Sequence, residues 1–426
     1  MNKRKLILTS GVANTFEWYD YALFGHLAPI IGQKFFPESE PSAALLKVFL
    51  VFAVGYLMRP LGGIFFGVIG DKFGRKVALS TAIMCMAIPT AAIGFLPTYE
   101  SIGITSTILM IIIRITQGLS MGGALTGSVS FIIEHTPKEN RGLFGSISMA
   151  SICAGILLGS IVLFIIKTIF TPEQFDDWAW RLPFIMGIVV YFAGMYVKNN
   201  TSETPLFEDA KLRGEILKSP LKTTFKYYWF DMIVSIFINM TGSIIFYMVA
   251  IYLVSYLKIN RDFPESDISY LINSCYVIMI FITLLAGWLS DKIGRQKIFI
   301  INLIFIIIAT PFLLKTIETG NFTMIAISML ILAIMAAIYI GPEPALHAEF
   351  YPTAVRNTAL SISYNTATSI FGGTTPYIIE SLIQNTGSIT SSVYYIITAA
   401  ILGLVALYFY EDRSLLDHKV HINQRD

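Results

Sequence analysis

Long apolar segments recur along the whole chain and are separated by short polar loops. Because about 20 apolar residues cross the hydrocarbon core of a bilayer as one helix, the pattern predicts twelve membrane-spanning helices. Their expected positions are 11–33, 44–69, 77–96, 103–133, 143–168, 182–198, 229–257, 268–289, 298–316, 322–347, 356–383 and 391–410. The predicted fold class is therefore an all-α integral membrane protein.

Composition supports this fold class and disfavours several functions. Of the 426 residues, 55% are hydrophobic and 14% are charged, whereas soluble domains carry about 25% charged residues. The net charge of +2 is too small to indicate nucleic-acid binding. No metal-ligand spacing, nucleophile motif or phosphate-binding loop is present, so we predict no enzymatic activity and no bound metal. A channel is also disfavoured, because a pore ring usually requires oligomeric symmetry.

Two loop motifs occur twice at nearly the same offset. GDKFGRK at 70–76 returns as SDKIGRQK at 290–297, and EHTPKENR at 134–141 returns as EFYPTAVR at 349–356. Such matched loops predict two pseudo-symmetric halves of six helices each. Duplicated halves are typical of secondary transporters, which bind their substrate near the midplane between the halves.

The repeats and the charged loops predict the domain organisation and the orientation. We expect one half at 1–198, a cytoplasmic linker at 199–228, the second half at 229–410 and a short tail at 411–426. Most Lys and Arg residues lie in loops on the side of the N-terminus. The opposite side holds Lys34, Lys47, Lys167, Arg181, Lys258, Arg261 and Lys315. By the positive-inside rule, both termini are expected in the cytoplasm, and the tail is too short for a coiled coil.

Several motifs resemble those of the major facilitator superfamily. GDKFGRK resembles its signature loop, and IIIRITQGLSMGG at 111–123 resembles its fourth-helix arginine motif. FEWYDYALFG, RGLFGS, ETPLF and EFYPTAVRNTALSISYNTATSIFGGTTP are similar to its metabolite:proton symporter branch, and within that branch to the proline/betaine transporters. The resemblance implies a monomeric transporter of a bacterial inner membrane. It would import a small solute with a proton, with the proton gradient as energy source and without a cofactor.

Two carboxylates, Glu17 and Asp20, interrupt the apolar first helix. They lie on one face because they are three residues apart, and a charge at the bilayer centre costs at least about 2.5 kcal/mol. Two carboxylates so close together repel each other when both are ionised, so ionising both costs free energy. We therefore expect one of them to carry the coupling proton, with Arg114 as counter-ion, because Ala124 stands where relatives often have a carboxylate. The alternative is a structural ion pair between the first and fourth helices.

Aromatic and polar side chains beside these acids suggest the substrate. Asn14, Trp18 and Tyr21 are predicted to contact it, since aromatic faces attract an ammonium group. Glu343 is predicted to be a second carboxylate of the site, because the prolines on either side of it break the tenth helix. These features favour a zwitterion such as proline or betaine.

Two intramembrane arginines leave a second substrate class open. A mono- or dicarboxylate would be clamped by Arg59 and Arg114. Arg59 is nevertheless expected to snorkel or to pair locally. His26 and His347 are expected to be packed or hydrogen-bonded near helix ends rather than to carry protons. The residues alone do not decide between the two substrate classes.

The loop GDKFGRK is predicted to act as a conformational latch. Gly70 and Gly74 permit a tight turn. Asp71 can then meet an arginine or a helix N-terminus across the interface between the halves. The resemblance implies this role for Asp71 and Arg75. The alternative, which we favour for the lysines of the loop, is that its basic residues only fix the topology.

Further residues are expected in the same network. Glu134 and Arg141 lie in the first EHTPKENR-type loop and are predicted to join the latch. Asp291 and Arg295 are the copies of the signature residues in the second half and are expected in equivalent roles. Ser290 replaces the first glycine there, which makes that equivalence less exact.

Overall fold

The computed structural model describes residues 3–37, 41–261 and 263–413, and the regular structure of these residues is entirely helical. Twelve long segments, named α1 to α12 in chain order, account for most of it. Their bounds are α1 Lys3–His26, α2 Pro41–Leu57 with Arg59–Phe73, α3 Arg75–Phe95, α4 Ile104–Glu134, α5 Arg141–Ile169, α6 Leu182–Ile185 with Gly187–Asn200, α7 Trp229–Tyr247 with Leu253–Asn260, α8 Glu265–Ile293, α9 Arg295–Thr319, α10 Phe322–Ile340 with Glu343–Glu349, α11 Arg356–Ala367 with Gly373–Thr386, and α12 Ser392–Tyr408.

Shorter helices lie in the connections between these segments. They are Ala28–Phe35, Tyr99–Ile102, Pro172–Asp177, Pro205–Leu212 and Pro220–Tyr227, with 3₁₀ turns at Lys138–Asn140, Ala179–Arg181 and Ile389–Ser391. The first of them follows α1, which begins earlier and ends earlier than its predicted range. The predicted tail is described only as far as Arg413, so the remainder of it lies outside the described residues.

Two of the twelve segments are markedly more polar than the others. Ten segments of the described chain are long and apolar enough to cross a bilayer by composition alone, and α1 and α11 are not among them. α1 carries Glu17 and Asp20, whereas α11 carries Asn357 and Asn365. All four side chains are buried in protein. Polar groups at membrane depth usually face a protein interior or a wet cavity, so these two helices point to the functional centre.

Five of these segments are interrupted: α6 at Met186, α7 at a π-helical turn, and the other three beside a proline. α2 breaks at Met58 ahead of Pro60, and α10 breaks at 341–342, as its prolines predict. α11 contains a π-helical turn just before Pro376. A proline lacks the N–H of its turn and its ring clashes with the preceding turn, so the helix must deform there. A second π-helical turn interrupts α7 at Met248–Tyr252.

Glycines bring α2 and α4 into contact backbone to backbone. A Cβ atom on Gly62 would lie 1.9 Å from the carbonyl oxygen of Leu119, and one on Gly118 would lie 1.9 Å from that of Gly55. Any side chain would force the two helices apart. The small residues of the fourth helix are therefore packing residues, and they hold the arginines of α2 and α4 on a rigid frame.

The most extensive contacts between the two halves are made by two helix pairs. α2 packs against α11, and α5 packs against α8. The last turn of α2 contains Asp71 and the last turn of α8 contains Asp291. We call the end of the bundle that holds these two residues the latch face.

Candidate transport site and latch clusters

Asp20 and Arg114 form a buried ion pair inside the first half. Arg114 Nη1 lies 3.2 Å from Asp20 Oδ2, and both side chains are almost completely buried. The guanidinium carbon also lies 3.4 Å from the centre of the Phe24 ring. The predicted counter-ion is thus in place for Asp20, and it joins α1 to α4.

Glu17 does not share that counter-ion, which corrects the expectation of one acid pair with one arginine. Neither of its carboxylate oxygens has a hydrogen-bond partner in the described part of the chain. The cation that acts on it is Arg59 of α2, rather than Arg114. Glu17 and Asp20 can have different partners because residues three apart on a helix differ by about 60° in direction. The two side chains therefore lie on the same face but point to different neighbouring helices.

Arg59 does not snorkel to solvent, and the second of the two expected arrangements, local pairing, is present in its bond to Tyr56. Its side chain is fully buried. Its Nε donates to Asn365 Oδ1 at 3.3 Å, and its Nη1 donates to Tyr56 OH at 3.2 Å. Since Asn365 lies on α11, this arginine joins the two halves at mid-depth. Its Nη2 has no hydrogen-bond partner among the described residues.

A small midplane cavity lies between the halves. Its volume is about 20 Å³, which is room for about one water molecule. Trp18 of α1 lines it, together with Phe246 and Tyr247 of α7, Glu343 of α10 and Tyr364 of α11. The predicted site residues Trp18 and Glu343 therefore face the same space. Four aromatic rings and one carboxylate surround it.

Glu343 is buried and incompletely bonded. Its Oε1 lies 3.5 Å from His347 Nε2, too poorly aligned for a hydrogen bond. His347 Nδ1 is 2.7 Å from Ser235 Oγ of α7. His347 is thus hydrogen-bonded near a helix end, in agreement with the sequence-based expectation. It links the break in α10 to α7.

A larger cavity of about 440 Å³ extends from the midplane away from the latch face. Trp18 and Phe246 line both cavities, and their rings meet edge to face with 5.8 Å between centroids. Tyr21 also lines the larger cavity, as does His26, whose Nε2 is 3.3 Å from Ser160 Oγ. We call this space the outer cavity. The Trp18–Phe246 contact forms the partition between the outer and midplane cavities.

Asn14 is placed differently from the other predicted substrate residues. Its Nδ2 donates to Ser128 Oγ at 3.1 Å and lies 3.4 Å from the carbonyl oxygen of Ser148. These partners lie on α4 and α5, inside the first half. Among the described residues that line the two cavities Asn14 does not appear. Its role in substrate binding stays a prediction, and its contacts favour packing instead.

The first latch cluster joins α2 to α11. Asp71 accepts hydrogen bonds from the backbone N–H groups of Asn357 and Thr358, at 3.1 and 2.8 Å. These N–H groups belong to the first turn of α11, where the helix dipole favours a negative charge. Arg75 Nη2 lies 3.2 Å from Asp71 Oδ1 and holds the carboxylate in position. The predicted contact with a helix N-terminus across the interface is present.

Glu134 extends this cluster by bridging the halves. Its Oε1 accepts hydrogen bonds from Arg75 Nε at 3.0 Å and from Arg356 Nη1 at 2.8 Å. Its Oε2 accepts one from Thr204 Oγ1 at 2.5 Å. Glu203, beside that threonine, accepts from the backbone N–H of Arg75 at 3.0 Å. The linker after α6 is therefore bonded directly to the latch.

The second latch cluster repeats the first across α5 and α8. Asp291 accepts from the N–H groups of Gly142 and Leu143, both at 2.8 Å. Arg295 binds Asp291 at 2.9 Å, and its Nε donates to Glu349 Oε2 at 2.6 Å. Arg295 thus occupies the position predicted from the repeat.

Arg141 lies in this second cluster rather than with Glu134, which corrects the expectation of a single network. Its Nη1 is 3.8 Å from Glu349 Oε1. The reason is that each signature loop contacts a helix of the other half. Asp71 contacts the start of α11, which follows EFYPTAVR, whereas Asp291 contacts the start of α5, which follows EHTPKENR. Arg356 and Glu349 were not predicted as latch residues. The repeat contained the signal, since they are the copies of Arg141 and Glu134.

The absence of a glycine at Ser290 has a structural explanation. In the first cluster, a Cβ on Gly70 would lie 2.0 Å from Asn357 Nδ2. In the second, a Cβ on Gly142 would lie 2.3 Å from Ser290 Oγ. The glycine of the contact is thus Gly70 of the signature loop in the first cluster, whereas in the second cluster it is Gly142, opposite the signature loop. Gly74 keeps its predicted role in the turn, with a φ of 111° that other residues rarely adopt.

Two sequence comparisons identify the family, and a solved structure shows the same fold. The Major Facilitator Superfamily model matches residues 12–376 and 262–424. A protein of Escherichia coli strain K12 named proline/betaine transporter is 32% identical over 413 residues, covering 94% of this chain and 82% of that protein. The structure of the proton:xylose symporter XylE bound to 6-bromo-6-deoxy-D-glucose has a TM-score of 0.81 at 19% identity and covers 96% of both chains.

The human organic anion transporter MFSD10 shares the same fold. Its TM-score is 0.70 at 13% identity, over 96% of this chain and 100% of that one. Identities this low show the architecture and nothing of the substrate. The family model and the E. coli relative carry the assignment. The chain therefore belongs to the major facilitator superfamily and is a membrane transporter, not an enzyme.

Proposed function

We propose that the chain is a proton-coupled symporter that imports a small zwitterion of the proline or betaine type. The observation that carries this proposal is the midplane cavity, where four aromatic rings surround the carboxylate of Glu343. Aromatic faces and a carboxylate together suit a secondary or quaternary ammonium group. The 32% identity with a protein named proline/betaine transporter supports the same substrate class.

The proposed proton-coupling group consists of Glu17, Asp20 and Arg114. Charged side chains at membrane depth are expensive and are usually functional. Asp20 can accept a proton only by weakening its bond to Arg114, whereas Glu17 has no bond to lose. The fold of the proton:xylose symporter XylE is compatible with such coupling. No cofactor is needed, because the proton gradient supplies the energy.

Alternating access follows from the two clusters and the two cavities. The halves are bonded together at the latch face, and the outer cavity lies on the opposite side of the midplane. We propose that the latch face is cytoplasmic, since most Lys and Arg loops lie there. Both termini would then be cytoplasmic and the membrane would be a bacterial inner membrane. The structure would correspond to a monomer that is closed towards the cytoplasm.

Transport into proteoliposomes tests this proposal. Purified protein would be offered labelled proline, glycine betaine and 2-oxoglutarate, with and without an inward proton gradient. We expect gradient-driven accumulation of proline or betaine. Accumulation of 2-oxoglutarate alone would favour the organic-acid alternative, for which Arg59 and Arg114 provide the cations. Flux of every solute that ignores the gradient would contradict proton coupling.

A further inference from the structure

Arg59 and Glu17 are two buried, opposite charges that interact electrostatically without a hydrogen bond between them. Arg59 Nη2 and both carboxylate oxygens of Glu17 have no hydrogen-bond partner among the described residues. Each nevertheless acts electrostatically on the other. Buried polar groups are normally hydrogen-bonded. Arg59 Nη2 is therefore available to donate a hydrogen bond, and the carboxylate of Glu17 does not accept one from it.

The other side of Arg59 is fixed by both halves. Its Nε donates to Asn365 of α11, and its Nη1 donates to Tyr56 of α2. These two bonds set the plane of the guanidinium, and they leave Nη2 as its unbonded donor. A planar, fixed guanidinium is well suited to a carboxylate. Arg59 thus has the geometry of an anion receptor at the interface between the halves.

We infer that Arg59 binds the carboxylate of the substrate and that Glu17 competes with that carboxylate for the same cation. The inference rests on the proposed function, because it requires a carboxylate-bearing substrate that moves with a proton. When Glu17 is ionised, its charge already compensates Arg59. When Glu17 carries a proton, Arg59 has no competing anion and attracts the substrate. Proton and substrate then raise each other's affinity by the same factor.

The ammonium group of a zwitterion would have Glu343 as its partner, on the other side of Tyr364 from Arg59. Glu343 Oε1 has no hydrogen-bond partner in the described part of the chain. Tyr364 lines the midplane cavity with Glu343 and interacts electrostatically with both Glu343 and Arg59. A carboxylate at Arg59 and an ammonium group at Glu343 would therefore lie on either side of one tyrosine. This arrangement distinguishes a zwitterion from a simple organic acid.

The charged and titratable groups around Glu17 leave Arg59 as its cation. Tyr56 and Arg59 approach from α2, and Asp20 and Tyr21 lie on α1 itself. Asp20 is bonded to Arg114 of α4, so that arginine is already compensated.

Two further elements, α5 and α10, come near α1. α5 approaches α1 closely at Gly155, where a Cβ would lie 2.2 Å from the carbonyl oxygen of Thr15. Glu343 is the carboxylate across the midplane. The proton would reach Glu17 from the outer cavity. It would leave towards the latch face after the substrate is released and Glu17 again compensates Arg59.

Equilibrium binding to the purified full-length protein tests the inference. The probe is labelled proline or glycine betaine, whichever the wild type transports, between pH 5 and pH 8.5. For the wild type we expect affinity to fall with rising pH, by up to about tenfold per unit. Glu17→Gln should bind tightly at every pH and exchange substrate, yet fail to accumulate it. Arg59→Gln should bind at least about 100-fold more weakly, with partial recovery in Arg59→Lys.

Controls separate a binding defect from a folding defect. Arg181→Gln removes an arginine that bonds the carbonyl oxygens of Gly94 and Leu96, away from both cavities, and should bind like the wild type. Prolinamide, which lacks the carboxylate, should bind the wild type and Arg59→Gln alike. If Arg59→Gln does not fold, Arg59→Lys and Glu17→Gln still carry the test.

Two results would overturn the inference. One is wild-type affinity in a folded Arg59 variant, and the other is an unchanged pH dependence in Glu17→Gln. A wild-type protein that transports none of the probes would instead contradict the proposed function.

Discussion

Asp71 of the first half accepts a hydrogen bond from the backbone N–H of Thr358 in the second half, with 2.8 Å between Oδ2 and N. Asp291 makes the mirror contact with Leu143, also at 2.8 Å. Each half thus places a carboxylate on the positive end of a helix in the other half. The pair of contacts explains how the two six-helix halves are held closed at the latch face, where the linker also joins them.

Replacing these carboxylates should open the latch face. Asp71→Asn and Asp291→Asn keep the shape of the side chain and remove its charge. Hydrogen bonds to a charged group contribute about 1.5–3 kcal/mol, so each change should shift the population of the closed form by about 10- to 150-fold. Spin labels at Glu139 and Lys292, both exposed on the latch face, would report a longer distance. An unchanged distance distribution would contradict the latch, and Lys72→Ala serves as the control.

Gly142→Ala should separate α5 from α8. The added methyl group would lie 2.3 Å from both the Gly287 carbonyl oxygen and Ser290 Oγ. Overpacking of this kind typically costs about 1–3 kcal/mol, so we expect a lower thermal unfolding temperature in detergent. Gly127→Ala is the matched control, because its methyl group would meet its nearest neighbour at an ordinary 3.7 Å. Equal unfolding temperatures for both variants would argue against a close contact at Gly142.

Glu203 in the linker should give the protein a measurable pH dependence. Burial raises the pKa of its carboxyl, so the folded protein binds this proton more tightly than the unfolded chain. The associated stability is present at acid pH and is lost as pH rises through the raised pKa. Glu203→Gln should remove that part of the pH dependence, whereas Glu208→Gln, exposed in the same linker, should not. Unfolding temperatures measured between pH 4 and pH 8 would decide this.

The pair of Asp20 and Arg114 can be tested by neutralising one or both partners. Asp20→Asn leaves Arg114 as an uncompensated buried charge, which typically destabilises by about 3–5 kcal/mol, and accumulation should fall at least about tenfold. The double variant Asp20→Asn with Arg114→Gln should recover stability but not gradient-driven accumulation. Wild-type accumulation by the double variant would show that the pair is purely structural.

Much of the architecture was predictable because membrane-spanning helices have a strong sequence signature. A helix that crosses the bilayer needs a continuous apolar segment, which is visible in the sequence. The duplicated loops likewise indicated two similar halves. The contact of Asp71 with a helix N-terminus was also predictable, because a carboxylate at the end of one helix needs a positive partner. α1 and α11 have weaker apolar character, since they face protein rather than lipid.

The partners inside the site were less predictable, because they depend on how helices rotate against each other. Glu17 and Asp20 were expected to share Arg114, yet Glu17 faces Arg59 instead. Nothing in the neighbourhood of Arg59 in the sequence shows that Asn365, more than 300 positions later, accepts its hydrogen bond. Asn14 illustrates the opposite case. Its place on the polar face of α1 suggested the cavity, whereas its bonds lie within the first half.

The small volume of the midplane cavity has a consequence for affinity. A space for about one water molecule cannot contain proline or betaine, so the substrate must part the Trp18–Phe246 rings and widen the interface as it enters. Part of the intrinsic binding free energy is then spent on this expansion, and the measured affinity is correspondingly weaker. Selectivity would therefore depend on which molecule best stabilises the widened form, rather than on which molecule fits the closed one.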